Sequence, residues 1–243
     1  ARAAYRLDRL GIPLLEISTE PVFTTPQDAQ AGAEAIGLEL RMLEGVMRGL
    51  GTIRQDVNIS IEKGARVEIK GSQNLKMLSL LVQNAVRRQE GLLQIIEEIK
   101  RRRKDAGETN EKICPIDATR IFANSGCKIL NRAISSGGVA LAAKLPCYAS
   151  LLSRELYAGR RFGTELSDYA KIAGGVKGLI HSDEEMGSYA VSHEELSALQ
   201  KELELKEGDA FLLVAGSKEK ARKAIDAAIE RAQILKIPKE TRK

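Results

Sequence analysis

The sequence predicts an α+β fold in two parts, a first part of strands and long helices followed by a small α+β domain. Apolar residues recur at helical spacing over 74–104, and the stretch before them alternates apolar and polar residues as two short strands do. A polar, glycine-containing stretch at 105–110 then separates the two parts. The length of 243 residues, greater than that of one average domain, agrees with this division.

Composition and charge narrow the class of protein. Lys and Arg exceed Asp and Glu by 38 to 33, which is compatible with a polyanionic partner without requiring one. Cys114, Cys127 and Cys147 are widely spaced and form no C-x-x-C pair, so neither a disulfide framework nor a zinc site is indicated. A reducing cytoplasm agrees with that usage. The longest apolar stretch, at 139–152, is interrupted by polar residues, which predicts no membrane span.

A short apolar strand and a helix open the first part. Ile12–Ile17 has the composition of a largely buried strand with a single acid, Glu16. Thr25 is a candidate helix N-cap with Pro26 at the first helical position, and apolar residues at helical spacing carry this helix to about Leu50.

A β-hairpin with one polar face is predicted next. Strands at 57–62 and 65–70 are joined by Lys63-Gly64, a two-residue connection of the kind that closes a hairpin. Because side chains alternate along a strand, apolar residues share one face and polar residues the other. The polar residues are Asp56, Asn58, Ser60, Glu68 and Lys70.

The second part alternates strands with helices. Predicted strands lie at 128–134, 139–145, 176–181 and 210–215. Predicted helices lie at 164–172, 193–203 and 218–235, which with these strands is typical of a small α+β domain.

The polar hairpin face and Glu16 have the residue types that magnesium and phosphate require. Magnesium is commonly held by one or two carboxylates together with phosphate oxygens, while Lys and Arg offset charge during phosphoryl transfer. Polar side chains on a half-exposed hairpin also need no function at all, and that alternative stays open. For Glu16 a function is favoured, because an ionised carboxylate in a buried strand is costly without a cation or a donor.

Three segments resemble the signatures of the GatB/GatE amidotransferase family. Residues 7–21, LDRLGIPLLEISTEP, are similar to the family pattern R-x-G-x-P-L-x-E-I-x-[ST]-E-P. Residues 51–60, GTIRQDVNIS, resemble G-[ST]-x-R-x-D-x-N-[IV]-S, and residues 67–70, VEIK, resemble E-[IL]-K. In the second half, FGTEL at 162–166 and GLIHSDE at 178–184 resemble an insertion domain that archaeal members share with bacterial-type aspartyl-tRNA synthetases.

The resemblance implies a domain division. Residues 1–110 are expected to form part of a catalytic cradle domain, 111–237 the aspartyl-tRNA-synthetase-like (GAD) insertion domain, and 238–243 the start of a return to the cradle. An upstream family segment with an acid-and-histidine pair, and C-terminal helical and tail domains, are absent from this chain. We therefore predict that this polypeptide alone is inactive.

The resemblance also implies an activity, ATP-dependent transamidation of Glu-tRNA(Gln) to Gln-tRNA(Gln). ATP and Mg²⁺ are the implied cofactors, and ammonia would come from a GatD-type amidase subunit in a heterotetramer that contains a homodimer of this subunit. By position, Glu16 corresponds to a family acid at the magnesium site. The implied catalytic residues are Glu16, Asp56 and Glu68, and the implied nucleotide and phosphate cradle is Arg54, Asn58, Ser60 and Lys70.

Other interpretations remain open. This part of the protein could act only as a tRNA-binding scaffold, and a Glu16→Ala change that removes ATP-dependent turnover while sparing tRNA binding would separate the two hypotheses. A fragment of an aspartyl-tRNA synthetase is a weaker option, because no class II motif is visible. The basic run at 100–104 suits tRNA phosphates, but cations at a helix C-terminus also favour the helix dipole. For His181 and His193 we predict surface or structural roles.

Overall fold

The computed structural model describes residues 3–5, 11–49, 51–72, 74–107 and 113–242, and the elements below lie within these ranges. The helices are α1 Pro26–Met42, α2 Leu78–Ala106, α3 Lys128–Ser135, α4 Phe162–Gly174, α5 His193–Glu202 and α6 Lys218–Gln233. The strands are β1 Gln55–Ile59, β2 Val67–Ser72, β3 Ile116–Asp117, β4 Val139–Leu145, β5 Glu155–Tyr157, β6 Arg160–Arg161, β7 Ile180–His181, β8 Ala210–Gly216 and β9 Glu240–Arg242. This mixture of helices and mainly antiparallel sheets confirms the predicted α+β class.

The first sheet contains the predicted hairpin and one strand that the sequence did not reveal. Strands β1 and β2 pair antiparallel, and β9, from the far end of the chain, lies parallel to β2 in the order β1-β2-β9. The connection between β1 and β2 spans 60–66 rather than two residues, with a turn at Lys63, whose φ of 61° is left-handed. The predicted alternation is confirmed, since Ile59 and Val67 are buried while Asn58 is exposed.

Helix α2 links this sheet to the rest of the fold. It begins after a 3-10 turn at Leu75–Met77 and ends at Gly107, whose left-handed φ of 64° stops the helix as the glycine-containing segment predicted. Its apolar stripe continues into the core that it shares with α4 and α6. The stripe is interrupted at Arg88 and Gln89, which are nevertheless buried.

The second sheet has helices on both faces. Its strand order is β3-β4-β8-β7, and all its pairings are antiparallel. Leu212 and Val214 of β8 face the core made with α2, α4 and α6, while Phe211 and Leu213 face a second core made with α3 and α5. The predicted strands at 139–145 and 210–215 and the predicted helices at 164–172, 193–203 and 218–235 are confirmed within a few residues.

Besides the strand at Ile12–Ile17, four predictions about elements were wrong. The strand expected at 128–134 is helix α3, because its apolar residues are spaced for one helical face. The strand expected at 176–181 is reduced to β7. Helix α1 ends at Met42 rather than near Leu50, since Leu43 takes an extended conformation. The connection between β1 and β2 is longer than the two residues that were predicted.

The strand expected at Ile12–Ile17 does not form, although this segment is largely apolar. Its side chains are exposed, by 77% for Leu14 and 88% for Leu15. A strand is buried only where neighbouring backbone pairs with it and another layer covers it, and within the described ranges no strand pairs with this segment. Residues 6–10, where the family resemblance begins, lie outside the described residues.

Several single-residue expectations can also be compared with the fold. His193 opens α5 and is exposed, whereas His181 is buried at 4% exposure in the second sheet, so both fit a surface or structural role. Cys127 and Cys147 are buried, whereas Cys114 is exposed. Of the helices in the described ranges, none combines the length and apolar character needed to cross a membrane.

Candidate functional site

Three charged side chains meet on the polar face of the hairpin. Lys70 Nζ lies 3.4 Å from Asp56 Oδ2 and 3.3 Å from Glu68 Oε1, so one ammonium group bridges two carboxylates. We call Asp56, Glu68 and Lys70 the carboxylate–lysine cluster. The fold therefore brings together three of the residues that the sequence predicted for chemistry, and it does so through strand pairing alone.

The backbone at the end of β2 fixes the Asp56 carboxylate. The ladder shifts register between Gln55 and Val57, and Gly71 in the opposite strand has a left-handed φ of 73°, which glycine adopts without the steric cost of a Cβ. This geometry lets the Gly71 N–H donate to Asp56 Oδ1 at 3.0 Å. That hydrogen bond is the main reason why the pKa of Asp56 lies below its ordinary value, and Lys70 adds to the effect.

The cluster is charged and open to solvent. Hydrogen bonding to Glu68, and then to Asp56, raises the pKa of Lys70, so its ammonium form persists at neutral pH. The side chains of Lys70 and Asp56 are 43% and 44% exposed. Ion pairs with such exposure contribute little to stability, because solvent screens their charges. The cluster is therefore accessible from solvent and adds little to holding the fold.

The remaining predicted phosphate-binding residues surround the cluster. Asn58 lies directly opposite Glu68 in the ladder. Arg54 comes just before β1, and its charge contributes to the low pKa of Asp56. Ser60 follows the end of β1, and the side chains of Arg54, Asn58 and Ser60 are all exposed.

Glu16 is placed differently from our prediction. It is exposed in an unpaired segment, so its carboxylate keeps its hydration and needs no cation for burial. Within the described residues, Lys70 pairs with Asp56 and Glu68 and not with Glu16. The expected burial of Glu16 is therefore wrong, and the metal site inferred from that burial stays a prediction.

The donor set limits how a metal ion could bind. In the described part of the chain, no three His, Cys, Asp or Glu side chains are grouped so as to hold a metal. Asp56 and Glu68 supply two carboxylates, but the position between them is occupied by Lys70 Nζ. Magnesium is commonly held by one or two carboxylates plus substrate phosphates. Magnesium could therefore reach these carboxylates only beside Lys70 and together with a phosphate, and the cluster does not fit a metal held by protein side chains alone.

Helix α2 holds the hairpin through Gln89, which is fully buried. Gln89 Oε1 accepts from the Ala65 N–H at 2.9 Å, and its Nε2 donates to the Ile59 carbonyl at 3.4 Å. A Cβ at Gly64 would lie 2.3 Å from Gln89 Oε1, so only glycine fits the turn at this approach. One amide side chain therefore anchors both ends of the connection between β1 and β2.

Comparison with known families assigns the chain. The model of the GatB/GatE catalytic domain matches residues 1–132, more than half of the sequence. The chain belongs to the GatB/GatE family. A GAD domain model matches residues 130–225, which hold most of the second sheet and its helices. The carboxylate–lysine cluster lies inside the GatB/GatE match.

Curated relatives of this GatB/GatE chain are named as the E subunit of glutamyl-tRNA(Gln) amidotransferase. The protein of Pyrococcus abyssi is 46% identical over 98% of this chain and 37% of its own length. That of Thermococcus gammatolerans is 47% identical over 98% of this chain and 38% of its own length. That of Methanopyrus kandleri is 45% identical, with 98% and 37% covered. The chain thus spans a little over a third of the length of these relatives.

The basic run of this GatB/GatE chain is partly used by the fold. Arg101 pairs with Glu98 and Asp105, and Arg102 donates to two backbone carbonyls that precede β5. These contacts agree with the simpler alternative, in which the run stabilises the helix end. They also hold the pKa of Glu98 at about 2, chiefly through the hydrogen bonds from Arg101 and Arg102.

Three residues that hold the candidate site of this GatB/GatE chain in place were not identified from the sequence. Gly71 and Gln89 left usable signals, a glycine directly after Lys70 and a polar residue inside the apolar stripe of α2. Thr241 left none, because a three-residue strand is too short to show alternation. Its Oγ1 donates to Glu68 Oε2 at 2.9 Å.

Proposed function

We propose that this chain is part of the subunit that converts Glu-tRNA(Gln) to Gln-tRNA(Gln) by ATP-dependent transamidation. The observation that carries the proposal is the carboxylate–lysine cluster on an exposed face within the GatB/GatE match. The names of the relatives support the tRNA substrate and the amidotransferase class. Because the chain covers only part of these relatives, the activity is proposed for the whole subunit.

In the proposed reaction the γ-phosphate of ATP passes to the side-chain carboxylate of the glutamate on tRNA. This step makes an acyl phosphate and leaves ADP. Ammonia then attacks the carbonyl carbon, the C–O bond to phosphate breaks, and glutamine remains on the tRNA. The substrate carboxylate is a poor electrophile until it is phosphorylated, so a site for this reaction must hold phosphate and carboxylate groups next to each other.

The hairpin residues have distinct parts in this step. Lys70 carries the positive charge that offsets charge developing on the transferred phosphoryl group. Asp56 and Glu68 keep the ammonium group of Lys70 charged and hold it in position. Further donors to phosphate oxygens come from Arg54, Asn58 and Ser60. Asp56 and Glu68 would hold magnesium together with the nucleotide, and the ion would neutralise phosphate charge there. Glu16 is retained as a proposed acid of the same site on the family resemblance alone.

Ammonia has to come from elsewhere. We propose a GatD-type amidase subunit as its source, in a heterotetramer that contains two copies of the present subunit. The division of the chain at residue 110, with a return to the cradle at 238–243, is part of the same proposal.

The test uses the whole subunit with its amidase partner. Asp56→Asn and Glu68→Gln remove one charge each with little change in shape, and Gln-tRNA formation is measured with ATP and Glu-tRNA(Gln). We expect each to lower turnover by about a hundredfold, while tRNA affinity changes less than twofold. Glu62→Gln is the matched control, because Glu62 is an exposed carboxylate in the loop of the same hairpin. Turnover of Glu68→Gln equal to that of Glu62→Gln would contradict the proposal.

A further inference from the structure

A buried ion cluster joins the two parts of the chain. Glu165 of α4 lies between two guanidinium groups that are each 2% exposed, those of Arg88 on α2 and Arg231 on α6. Arg88 binds it through Nε and Nη2 at 2.7 and 2.9 Å, and Arg231 through Nε and Nη2 at 2.9 and 2.7 Å. Burial raises the pKa of Glu165, but the two arginines lower it by more, so the carboxylate is ionised.

The cluster has one further member, Glu240 at the start of β9. The remaining nitrogen of Arg88, Nη1, lies 2.6 Å from Glu240 Oε1, as an ion pair without the angles of a hydrogen bond. Tyr169 of α4 donates its hydroxyl to Glu240 Oε2 at 3.4 Å. Arg88 therefore divides its guanidinium between Glu165 and Glu240, and β9 is attached to both parts of the chain.

This attachment matters because β9 is short. It has three residues and pairs only with β2, so the ladder alone supplies few hydrogen bonds to place it. Glu240 lies opposite the buried Val67 in the register. The side chain of Glu240 consequently enters the interior, where Arg88 fixes its position.

The next residue of β9 points the other way. Thr241 lies opposite Glu68, on the polar face, because successive side chains of a strand alternate. Its hydroxyl donates to Glu68 Oε2, while Lys70 Nζ lies near Oε1. Each oxygen of the Glu68 carboxylate thus has its own partner, and the partner of Oε2 comes from β9.

We propose that Thr241 is a positioning residue for Glu68, and that Glu240 and Arg88 hold β9 in the register that lets it act. This inference rests on the proposed function, since it assumes that the orientation of Glu68 matters to turnover. It assigns a role in that site to a strand that follows the GAD match in sequence. Residues of the GAD match help to hold β9 in place, because Glu165, which binds Arg88, and Tyr169, which binds Glu240, both lie within that match.

The test compares two variants of Thr241 in the whole subunit with its amidase partner. Thr241→Val removes the hydroxyl and keeps the β-branched shape, while Thr241→Ser keeps the hydroxyl. We expect Thr241→Val to lower kcat by about tenfold to a hundredfold, with KM for Glu-tRNA(Gln) within about twofold. Thr241→Ser should retain most of the wild-type kcat. Thermal midpoints of both variants should stay close to that of the wild type, because Thr241 is exposed.

Glu240→Gln tests the anchor behind Thr241. We expect it to lower kcat in the wild-type background and to have no further effect on kcat in the Thr241→Val background, because both act through the same hydroxyl. Independent, multiplicative losses would overturn the link between the buried ion cluster and the site.

The outcomes separate this inference from the proposed function. Wild-type kcat in Thr241→Val, together with a loss in Glu68→Gln, would overturn the role of Thr241 and leave the function standing. Equal losses in Thr241→Val and Thr241→Ser would also overturn it, since the hydroxyl would then not be the active group. Wild-type turnover in Glu68→Gln would contradict the proposed function itself.

Discussion

Arg88 of α2 and Glu165 of α4 form a two-point ion pair with almost no exposure to solvent. The two residues are far apart in sequence, and only Arg88 lies in the GatB/GatE match, whereas Glu165 lies in the GAD match. Burying such charges is costly, and removing one partner leaves the other charge unpaired in the interior. The pair therefore fixes how α2 and α4 pack against each other.

Glu165→Gln should lower the stability of the chain at neutral pH. The amide cannot balance the buried charges of Arg88 and Arg231, and loss of one partner from such a group costs about 3–5 kcal/mol. Urea unfolding measures the change. Glu230→Gln is the control, because Glu230 is the exposed neighbour of Arg231 on α6. Equal stability of the two variants would show that the ion cluster contributes nothing to folding.

Glu165→Gln should also change how the stability of the chain depends on pH. The pKa of Glu165 is lowered in the folded chain from its ordinary value of 4.5. A carboxyl of this kind stabilises the fold at pH above its unfolded pKa, and the contribution is lost as pH falls through the folded pKa. We therefore expect wild-type stability to fall more steeply than that of Glu165→Gln below pH 4.5. Parallel curves for the two proteins in a pH series of unfolding experiments would contradict this expectation.

Gln89→Ala should loosen the hairpin. The change leaves the buried Ile59 carbonyl without its partner, which costs about 1–3 kcal/mol, and it also removes the partner of the half-buried Ala65 N–H. Hydrogen exchange should show faster exchange at the Ala65 amide than in the wild type. Gln94→Ala, on the exposed side of the same helix, controls for helix propensity and should leave that amide protected. Unchanged protection in Gln89→Ala would mean that the loop is held by other contacts.

Glu16→Ala should leave stability unchanged, because an exposed side chain without a partner contributes within about 0.5 kcal/mol. If Glu16 is an acid of the proposed site, the variant of the whole subunit loses ATP-dependent turnover and keeps tRNA affinity. Unchanged turnover would remove Glu16 from the site and favour a scaffold role for its segment. Glu20→Ala, in the same exposed segment, is the control for both measurements.

Local patterns in the sequence predicted much of the fold. Helix α2 and the β1–β2 hairpin were found because their periodicity extends over enough residues to be distinctive, and the alternation correctly grouped Asp56, Glu68 and Lys70 on one face. The error at α3 arose because eight residues are few for a periodicity, although the spacing of Ile129, Leu130, Ala133 and Ile134 is that of one helical face. The error at Ile12–Ile17 arose because burial depends on partners that the segment itself does not specify.

The parts that could not be predicted depend on contacts between distant residues. Thr241 meets Glu68 only because β9 lies beside β2, and Glu165 meets Arg88 only because α4 comes next to α2 in the fold. A charged residue within the apolar stripe of α2 indicates that Arg88 needs a partner in the interior. It does not indicate that the partners are Glu165 and Glu240.

The most direct measurement is the rate at which the whole subunit with the Lys70→Met substitution activates the substrate carboxylate. ADP release that depends on Glu-tRNA(Gln) is followed in a single turnover, with hydroxylamine to capture the activated glutamate, and Lys70→Arg serves as the variant that keeps the charge. We expect Lys70→Met to activate glutamate about a hundredfold more slowly while binding tRNA normally, and Lys70→Arg to retain part of the rate. Activation by Lys70→Met at the wild-type rate would contradict the assignment of this hairpin face to phosphoryl transfer.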